Sequence, residues 1–380
     1  MNARVVSKAK ASSSLHAAPP PAARRNVRTL ALAVVGPGHV GSALLRQLRA
    51  AQSRVRRSHY LDIKLCAVAD SRHMWLDCDD AALNTRTGGA QTWRPAALDE
   101  LGPYLKGAPH AVIVDCSASE QVVDHYADWL RAGIHVVTPN KLAPAGSLER
   151  WNMLRECADQ AGTHCYHETT VGAGLPVLKT LRELLDTGDR LTSVEGMLSG
   201  TMAWLFDQFD GQRPFSELVR EAIDRGYAEP DPRQDLGGVD VARKLVILAR
   251  QAGLELSLDD VQVQSLVPPE LADLDAADLM KKLDALDEPM ARRLAEADAC
   301  NGVLRYVARL EADGRASVTL QAVPRSHPLA HARLTDNMIV FATDRYNDNP
   351  LVVQGPGAGP DVTAAGVFAD VLRVAEALPA

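Results

Sequence analysis

One acidic segment in the middle of the chain contains the residue types that transfer protons. Asp240 and Lys244 are four residues apart on a predicted helix, so both side chains lie on one helix face. The loop before this helix carries the carboxylates of Glu229, Asp231 and Asp235, and its prolines and paired glycines predict a rigid backbone. An ammonium group beside a carboxylate can donate or accept a proton, which predicts a catalytic site. A solvated ion pair on a helix surface is the alternative interpretation.

A second chemical signal is the pattern Gly36-x-Gly38-x-x-Gly41, which follows an apolar run and opens a helical stretch. In this context the glycines allow a tight turn, the approach of a pyrophosphate to backbone N–H groups, and close packing of helix on strand. The pattern predicts dinucleotide binding, although any tight strand-to-helix turn favours glycine. Asp70, at the end of the next strand, can bind the adenosine ribose hydroxyls, whereas Arg72 can bind a 2′-phosphate. The choice between NAD and NADP therefore stays open.

Two further residues with reactive side chains follow predicted strands. Lys141 ends the segment Thr138-Pro-Asn-Lys141, which places it at the carboxyl edge of the sheet, where ligands bind in such folds. Cys116 follows another strand, where a thiol can act as the nucleophile of a thioester-forming semialdehyde dehydrogenase. No histidine adjoins Cys116 in sequence to act as a base, so a structural role is the preferred interpretation.

The segment from His164 to Glu168 contains several side chains that can bind metals. In an extended segment, residues two apart share a face but residues three apart do not, so His164 and His167 do not converge on one ion. The glycine-rich loop that follows, residues 172–174, can instead present backbone carbonyls to a hard monovalent cation.

Alternating apolar and helical stretches must position these residues. Strand-like runs at 30–35, 63–69, 111–115 and 135–138 alternate with helical stretches, which predicts an α/β protein with a Rossmann-type, doubly wound parallel sheet. The later part of the chain is mainly helical over 214–300 and strand-rich over 303–345, which predicts a second, α+β part.

The composition excludes several classes of protein. The chain has 380 residues, enough for two domains, and its net charge of −7 with only 4% aromatic residues argues against a nucleic-acid-binding surface. Its six cysteines form no Cys-x-x-Cys pair, so we expect a reducing, cytoplasmic environment. No apolar run approaches the roughly 18–20 residues of a membrane span. Residues 1–26, with five basic residues, no acidic residue and three consecutive prolines, are typical of a disordered tail.

These motifs together resemble those of homoserine dehydrogenases, especially the dehydrogenase half of bacterial bifunctional aspartokinase–homoserine dehydrogenases. The resemblance covers about residues 27–378 and rests on seven segments: Val35–Gly41, Val136–Lys141, Val171–Pro176, Leu198–Thr201, Gly226–Pro232, Val239–Lys244 and Gly357–Gly366. It implies an NAD(P)-dependent interconversion of L-aspartate 4-semialdehyde and L-homoserine, the step toward threonine and methionine, in a homodimer. It also implies an NAD(P)-binding domain at 27–162, completed by 346–380, and a catalytic and dimerisation domain at 163–345.

The resemblance also implies roles for individual residues. The catalytic residues would be Lys244, Asp240 and Lys141, and we favour Lys244 as the proton donor because Asp240 can orient it. The substrate contacts would be Glu229, Tyr227, Asp235, Gly200 and Thr201. The cofactor contacts would be Gly36, Gly38, His39, Val40, Gly41, Asp70, Arg72, Ser117, Lys141 and Gly359. Backbone carbonyls of Glu168, Val171, Ala173 and Leu175 would hold a monovalent cation, Na or K.

Two other functional classes remain open at this point. One is a thioester-forming semialdehyde dehydrogenase that uses Cys116, and the other is a non-catalytic protein that senses NAD(P). Because the last matching motif ends at Gly366 and no domain precedes the first strand, we also expect little sensitivity to threonine.

Overall fold

The structure, a computed structural model, describes residues 26–76 and 93–378, so the tail expected at 1–26 lies outside the described residues except for Asn26. The strands are β1 (Arg28–Val35), β2 (Leu61–Ala69), β3 (His73–Leu76), β4 (Arg94–Pro95), β5 (Ala111–Asp115), β6 (His135–Val137), β7 (Cys165–Tyr166), β8 (Leu191–Met197), β9 (Val261–Val263), β10 (Gly302–Glu311), β11 (Ala316–Pro324), β12 (Asp336–Thr343) and β13 (Leu351–Pro356). The helices are α1 (His39–Ser58), α2 (Leu101–Leu105), α3 (Glu120–Val123), α4 (Tyr126–Arg131), α5 (Leu148–Ala161), α6 (Val177–Asp186), α7 (Gly200–Gln208), α8 (Phe215–Asp224), α9 (Arg233–Leu236), α10 (Val239–Gln251), α11 (Pro269–Ala272), α12 (Ala276–Lys281), α13 (Asp287–Ala299) and α14 (Pro360–Ala377).

The first sheet has the strand order β4-β3-β2-β1-β5-β6-β7. Within it, β2, β1, β5, β6 and β7 run parallel to one another. Alternate residues of β1 point to two different cores. Leu30, Leu32 and Val34 pack with α1 and α14, whereas Ala31 and Ala33 pack with α4. Burial on both faces explains why β1 is a continuous apolar run. The expected doubly wound sheet is thus confirmed.

The structure differs from the expected first sheet in two details. Strands β3 and β4 add an antiparallel edge beyond β2, which the sequence pattern did not indicate. The helical stretch after β5 is divided into α3 and α4, because His125 N–H donates to Val122 O at 3.2 Å, in a turn tighter than that of an α-helix.

The second sheet has the strand order β13-β12-β8-β10-β11-β9. Its inner face packs against helices that include α6, α7 and α10 through one large apolar core. We expected residues 346–380 to complete the nucleotide-binding part, but β13 pairs antiparallel with β12 in this second sheet. The reason is that Leu351 and Val353 of β13 point into the second core. Of this C-terminal segment, α14 packs on the first sheet.

The helices of residues 26–76 and 93–378 contain no segment that could cross a membrane. None of them combines the length and the apolar composition that a bilayer crossing requires.

Candidate active site

Strand register brings the predicted cofactor residues to one edge of the first sheet. Val35 is paired with Ala69 of β2 and with Asp115 of β5. The chain continues from these strands with Gly36, whose N–H donates to Ala69 O at 2.8 Å, and with Cys116, whose N–H donates to Val35 O at 2.8 Å. The glycine loop, Asp70 and Ser117 therefore lie at the same carboxyl edge, where nucleotides bind in open α/β sheets.

The three glycines of the motif have distinct structural reasons. Gly36 has a φ of +80°, and a Cβ there would lie 2.8 Å from Ser117 N. A Cβ on Gly41 would lie 2.3 Å from Gly36 O, so this glycine permits the close approach of α1. A Cβ on Gly38, by contrast, would meet no heavy atom of any residue other than its chain neighbours within 4 Å. Its surroundings are open, which is the environment that a bound phosphate requires.

The start of α1 presents hydrogen-bond donors toward that open space. The first bond of the helix runs from Ser42 N–H to Gly38 O at 2.9 Å. The preceding N–H groups of His39, Val40 and Gly41 belong to the first turn, which has no intrahelical acceptor. A helix N-terminus of this kind attracts anions.

The two residues expected to distinguish NAD from NADP lie on the turn after β2. One oxygen of Asp70, Oδ1, accepts hydrogen bonds from the N–H groups of Arg72 and His73, both at 2.7 Å. Partial burial acts to raise the pKa of Asp70, but these two hydrogen bonds outweigh it and lower that pKa. The Arg72 residue is exposed. Gly359, the other predicted cofactor contact, precedes α14 with a φ of +125°.

The catalytic side chains predicted from separate motifs meet around one carboxylate. Lys244 Nζ lies 2.9 Å from Asp240 Oδ2 and donates to Leu198 O at 2.7 Å. Lys141 Nζ, from the loop after β6, lies 3.3 Å from Asp240 Oδ1. The side chains of Lys244, Lys141 and Asp240 are 13%, 33% and 44% exposed, so the group is accessible from one side. The first sheet contributes Lys141, whereas α10 contributes the other two residues.

The electrostatics of this group follow from two cations sharing one anion. Partial burial favours the neutral acid, but the ammonium groups of Lys244 and Lys141 outweigh that effect and hold the pKa of Asp240 well below its usual range. Burial lowers the pKa of Lys244, and Asp240 opposes this effect while Lys141 adds to it. A lysine with a lowered pKa gives up its proton more readily near neutral pH.

The loop before α10 is fixed by Asp235. Its Oδ2 accepts the N–H of Glu229 at 2.9 Å, and its Oδ1 lies 2.8 Å from the Thr201 hydroxyl. That hydroxyl donates to Tyr227 O at 2.5 Å. Asp235 and Thr201, predicted as substrate contacts, thus hold the loop against the start of α7, where Gly200 is the first helical residue.

The two remaining predicted substrate contacts are exposed. The Tyr227 ring lies 5.6 Å from the Trp204 ring and is 41% exposed. The Glu229 carboxylate is exposed and forms no hydrogen bond or ion pair with another residue of the described ranges. The structure does not bring this carboxylate into contact with the lysines, so it is left available to a ligand.

Sequence reasoning missed a buried polar network beneath the Lys141 loop. Asp115, fully buried at the end of β5, accepts hydrogen bonds from Tyr126 OH at 2.6 Å and Asn140 Nδ2 at 3.1 Å. The Thr138 hydroxyl donates to Asp115 O at 2.8 Å. Burial raises the pKa of the Asp115 carboxyl, and its hydrogen bonds oppose this shift. The only sequence signals were a polar residue ending an apolar strand and the Asn of the segment before Lys141.

The predicted cation loop offers carbonyl oxygens rather than side chains. Among the residues described, the carbonyls of Val171 and Ala173 accept no backbone hydrogen bond, whereas Leu175 O accepts from Val177 N at 2.9 Å. The Glu168 carboxylate is committed to the N–H groups of Leu178 and Lys179 at the start of α6. The carbonyl oxygens of Val171 and Ala173 are therefore available as ligands of the type that hard cations prefer, whereas the Glu168 carboxylate is already engaged.

The thiol of Cys116 is not activated. Burial and the neighbouring Asp115 both raise its pKa, so the thiolate is disfavoured at neutral pH. This argues against the thioester-forming alternative.

Known proteins match both parts of the chain. Residues 36–168 match the family described as homoserine dehydrogenase, NAD binding domain, and residues 176–372 match the family described as homoserine dehydrogenase. The chloroplastic bifunctional aspartokinase/homoserine dehydrogenase 1 of Zea mays is 46% identical over 358 residues, which cover 93% of this chain but 39% of that protein. The chain thus spans about two fifths of the length of the plant relatives it matches.

Two further matches extend over nearly the whole of the compared protein. A homoserine dehydrogenase of Paracoccidioides brasiliensis is 40% identical over 375 residues, which cover 92% of this chain and 99% of that protein. The crystal structure of a putative homoserine dehydrogenase from Archaeoglobus fulgidus has a TM-score of 0.72 and 27% identity, covering 91% of this chain and 99% of that one. These matches agree with the nucleotide edge and with the contact of two lysines with Asp240, and they show that the chain belongs to the homoserine dehydrogenase family.

Proposed function

We propose that the protein interconverts L-aspartate 4-semialdehyde and L-homoserine with a nicotinamide cofactor, NADP or NAD. The observation that carries this proposal is the contact of Lys141 and Lys244 with the two oxygens of Asp240 beside the nucleotide edge. Reduction of an aldehyde needs a cation or a proton donor where negative charge develops on oxygen. Two ammonium groups on one carboxylate provide both.

Each side chain has a defined part in this reaction. A bound nicotinamide cofactor supplies or accepts the hydride. Lys244 gives its proton to the substrate oxygen during reduction and takes it back during oxidation, while Asp240 holds its ammonium group in place. Lys141 adds positive charge next to the same oxygen. The exposed Glu229 carboxylate pairs with the substrate ammonium group.

We further propose how the remaining parts of the chain serve this site. Residues 27–162 with α14 bind the nucleotide, and residues 163–345 supply catalysis and dimerisation. Cofactor contacts come from the glycine loop, Ser117 and Gly359, and Asp70 and Arg72 meet the adenosine ribose and its substituents. The carbonyls of Val171 and Ala173, together with those of Glu168 and Leu175, hold a monovalent cation. The cytoplasmic location stays a prediction.

A homodimer is supported by the outer face of the second sheet. On this face Val352, the strand partner of Val340, is 38% exposed, whereas Val340, Met197 and Val307 form a small apolar cluster that is already buried within the protomer. Pairing of this face with a second copy about a twofold axis would bury Val352 over that cluster.

The test is turnover of L-homoserine with NAD and with NADP in parallel, with chemical trapping of the aldehyde product. The proposal requires reduced cofactor and trapped aldehyde that both depend on homoserine. A protein that binds either cofactor but leaves homoserine unchanged would instead be a sensor. Cys116→Ala tests the thioester-forming semialdehyde dehydrogenase, because this substitution would leave the proposed reaction intact but would abolish a thioester mechanism.

A further inference from the structure

A cavity of roughly 450 Å³ lies beside the edge strand β7 of the first sheet. Strands β5 and β6 separate β7 from β1, which leads into the glycine loop. Its walls come from α5, α6, the end of α10 and α14, together with β7 and the loop after Lys141. Four guanidinium groups line it: Arg155, Arg182, Arg250 and Arg373. None of the lining residues belongs to the glycine loop or to the Lys141–Asp240–Lys244 group.

These four arginines lack the carboxylate partners that clustered arginines normally have. No ion pair among the described residues includes any of them. Arg182 Nη2 donates to the neutral Gln251 Oε1 at 2.9 Å, and Arg373 lies over the Tyr166 ring with 4.3 Å to its centroid. The cluster is therefore a concentration of positive charge that the surrounding residues do not neutralise by direct contact.

Arg250 gives the sharpest indication of an anion-binding role for the cavity. It is only 2% exposed, and its Nε and Nη1 donate to Leu256 O at 3.0 Å and to Pro144 O at 2.9 Å. Its remaining nitrogen, Nη2, is buried without a hydrogen-bond partner. Leaving a charged donor unsatisfied in the interior is costly, so such a group points to an acceptor that binds there.

Negative charge near the cavity is limited. Asp159 is the carboxylate among the lining residues. Behind the wall, the Glu168 carboxylate binds the start of α6, and Asp370 Oδ2 accepts the N–H of Glu168 at 3.0 Å. His167, which also lines the cavity, adds no further positive charge near neutral pH, because burial, with the nearby Arg182, lowers its pKa to about 3.

We propose that this cavity binds a small organic anion that carries at least two negative charges as phosphate or carboxylate groups. The planar guanidinium forks of the arginines suit the paired oxygens of either group. The volume fits a molecule of that size and lies within the range of small-molecule sites. Pro144, held by Arg250, follows Lys141 by three residues, so the anion binds next to the loop that carries a catalytic lysine.

The test is calorimetric titration of the full chain with inorganic pyrophosphate and, separately, with citrate, at low ionic strength and with excess NADPH present to occupy the glycine loop. We expect saturable binding at one site per chain that weakens as NaCl is added. The double variant Arg182→Gln/Arg373→Gln is expected to lose at least about tenfold in affinity, because two charge-assisted hydrogen bonds are removed. Arg292→Gln, a matched change of an exposed arginine on α13, is expected to bind as the wild type does.

The outcomes separate the ligand sources and can overturn the proposal. Binding of pyrophosphate alone assigns a phosphate ligand, citrate alone a carboxylate ligand, and both a site selected by charge. If the double variant fails to fold by circular dichroism, Arg155→Gln decides, because Arg155 is exposed on α5 and we expect it to weaken binding a few fold. No saturable binding of either anion, or equal affinity in wild type and in the folded Arg variants, would overturn the proposal.

Discussion

At the scale of single residues, the behaviour of the site depends on Asp240. Its carboxylate contacts two lysines through different oxygens, which keeps both ammonium groups at a fixed separation. Lys244 also donates to Leu198 O, so its position is set by two acceptors. A donor that is already placed loses little entropy when the reaction occurs.

Lys244→Ala should reduce turnover by about a hundredfold or more, the usual size of a lost general acid. Cofactor affinity should change little, because the glycine loop lies on a different element. Steady-state kinetics with a direct measurement of cofactor binding checks both statements, and Lys281→Ala, on the surface of α12, is the control. Wild-type turnover in Lys244→Ala would remove this lysine from the mechanism.

Asp240→Asn should change the pH dependence. The Asp240 carboxylate raises the pKa of Lys244, so its removal lowers that pKa further. Aldehyde reduction needs protonated Lys244, and its rate should therefore begin to fall at a lower pH than in the wild type. Rate profiles from neutral to alkaline pH measure the shift, and Asp278→Asn, which removes an exposed partner of Lys281, is the control. An unshifted profile contradicts the coupling.

Residue types and spacing predicted part of this arrangement. The spacing of Asp240 and Lys244 indicated their contact because four residues make one helical turn. The contact of Lys141 with Asp240 was implied only by the family resemblance and not by spacing, because it joins the loop after β6 to α10, which is remote in sequence. The contact of Arg250 with Pro144 was missed because these two residues are also remote in sequence.

At the scale of elements, the glycine loop and α1 form the nucleotide edge. The sequence predicted this unit because strand, turn and helix are adjacent in the chain, and each glycine has a local reason. It did not indicate β3 as an antiparallel edge strand. The resemblance placed residues 346–380, which include β13, in the nucleotide-binding part, and the pairing of β13 with β12 left no local signal in the sequence.

Gly38→Val tests the nucleotide edge. The added side chain meets no protein atom near its Cβ, so the fold should be retained, but it would occupy the space in front of the α1 N-terminus. Affinity for either cofactor should fall at least about tenfold, or roughly 1.4 kcal/mol. Fluorescence titration with NADPH measures it, and Gly107→Val, at another open position, is the control. Unchanged affinity in a folded Gly38→Val protein would show that the cofactor binds elsewhere.

At the scale of the whole molecule, the proposed active site lies between two sheets with separate cores. Lys141 follows β6 of the first sheet and Asp240 lies on α10, which packs on the second, so a small relative displacement of the two parts would separate the proposed catalytic group. A dimer through the outer face of the second sheet would leave this site open, because the helices on the inner face carry the substrate residues.

Light scattering should give twice the chain mass for the wild type. Val352→Asp places a charge on the outer face and should shift the protein toward monomer at micromolar concentration, because burial of an unpaired carboxylate is costly. Met153→Asp, an equally exposed apolar position on α5, should leave the mass unchanged. A monomeric wild type, or equal behaviour of both variants, contradicts the proposed dimer face.

The central claim is that hydride passes between a nicotinamide and the aldehyde carbon at the Lys141–Asp240–Lys244 group. The most direct measurement supplies L-aspartate 4-semialdehyde with reduced cofactor deuterated at the transferable position and analyses the product by mass spectrometry. The account predicts L-homoserine with one deuterium on its hydroxyl-bearing carbon, formed at least about a hundredfold more slowly by Lys244→Ala. Homoserine without deuterium, or no homoserine from a protein that binds the cofactor, would contradict it.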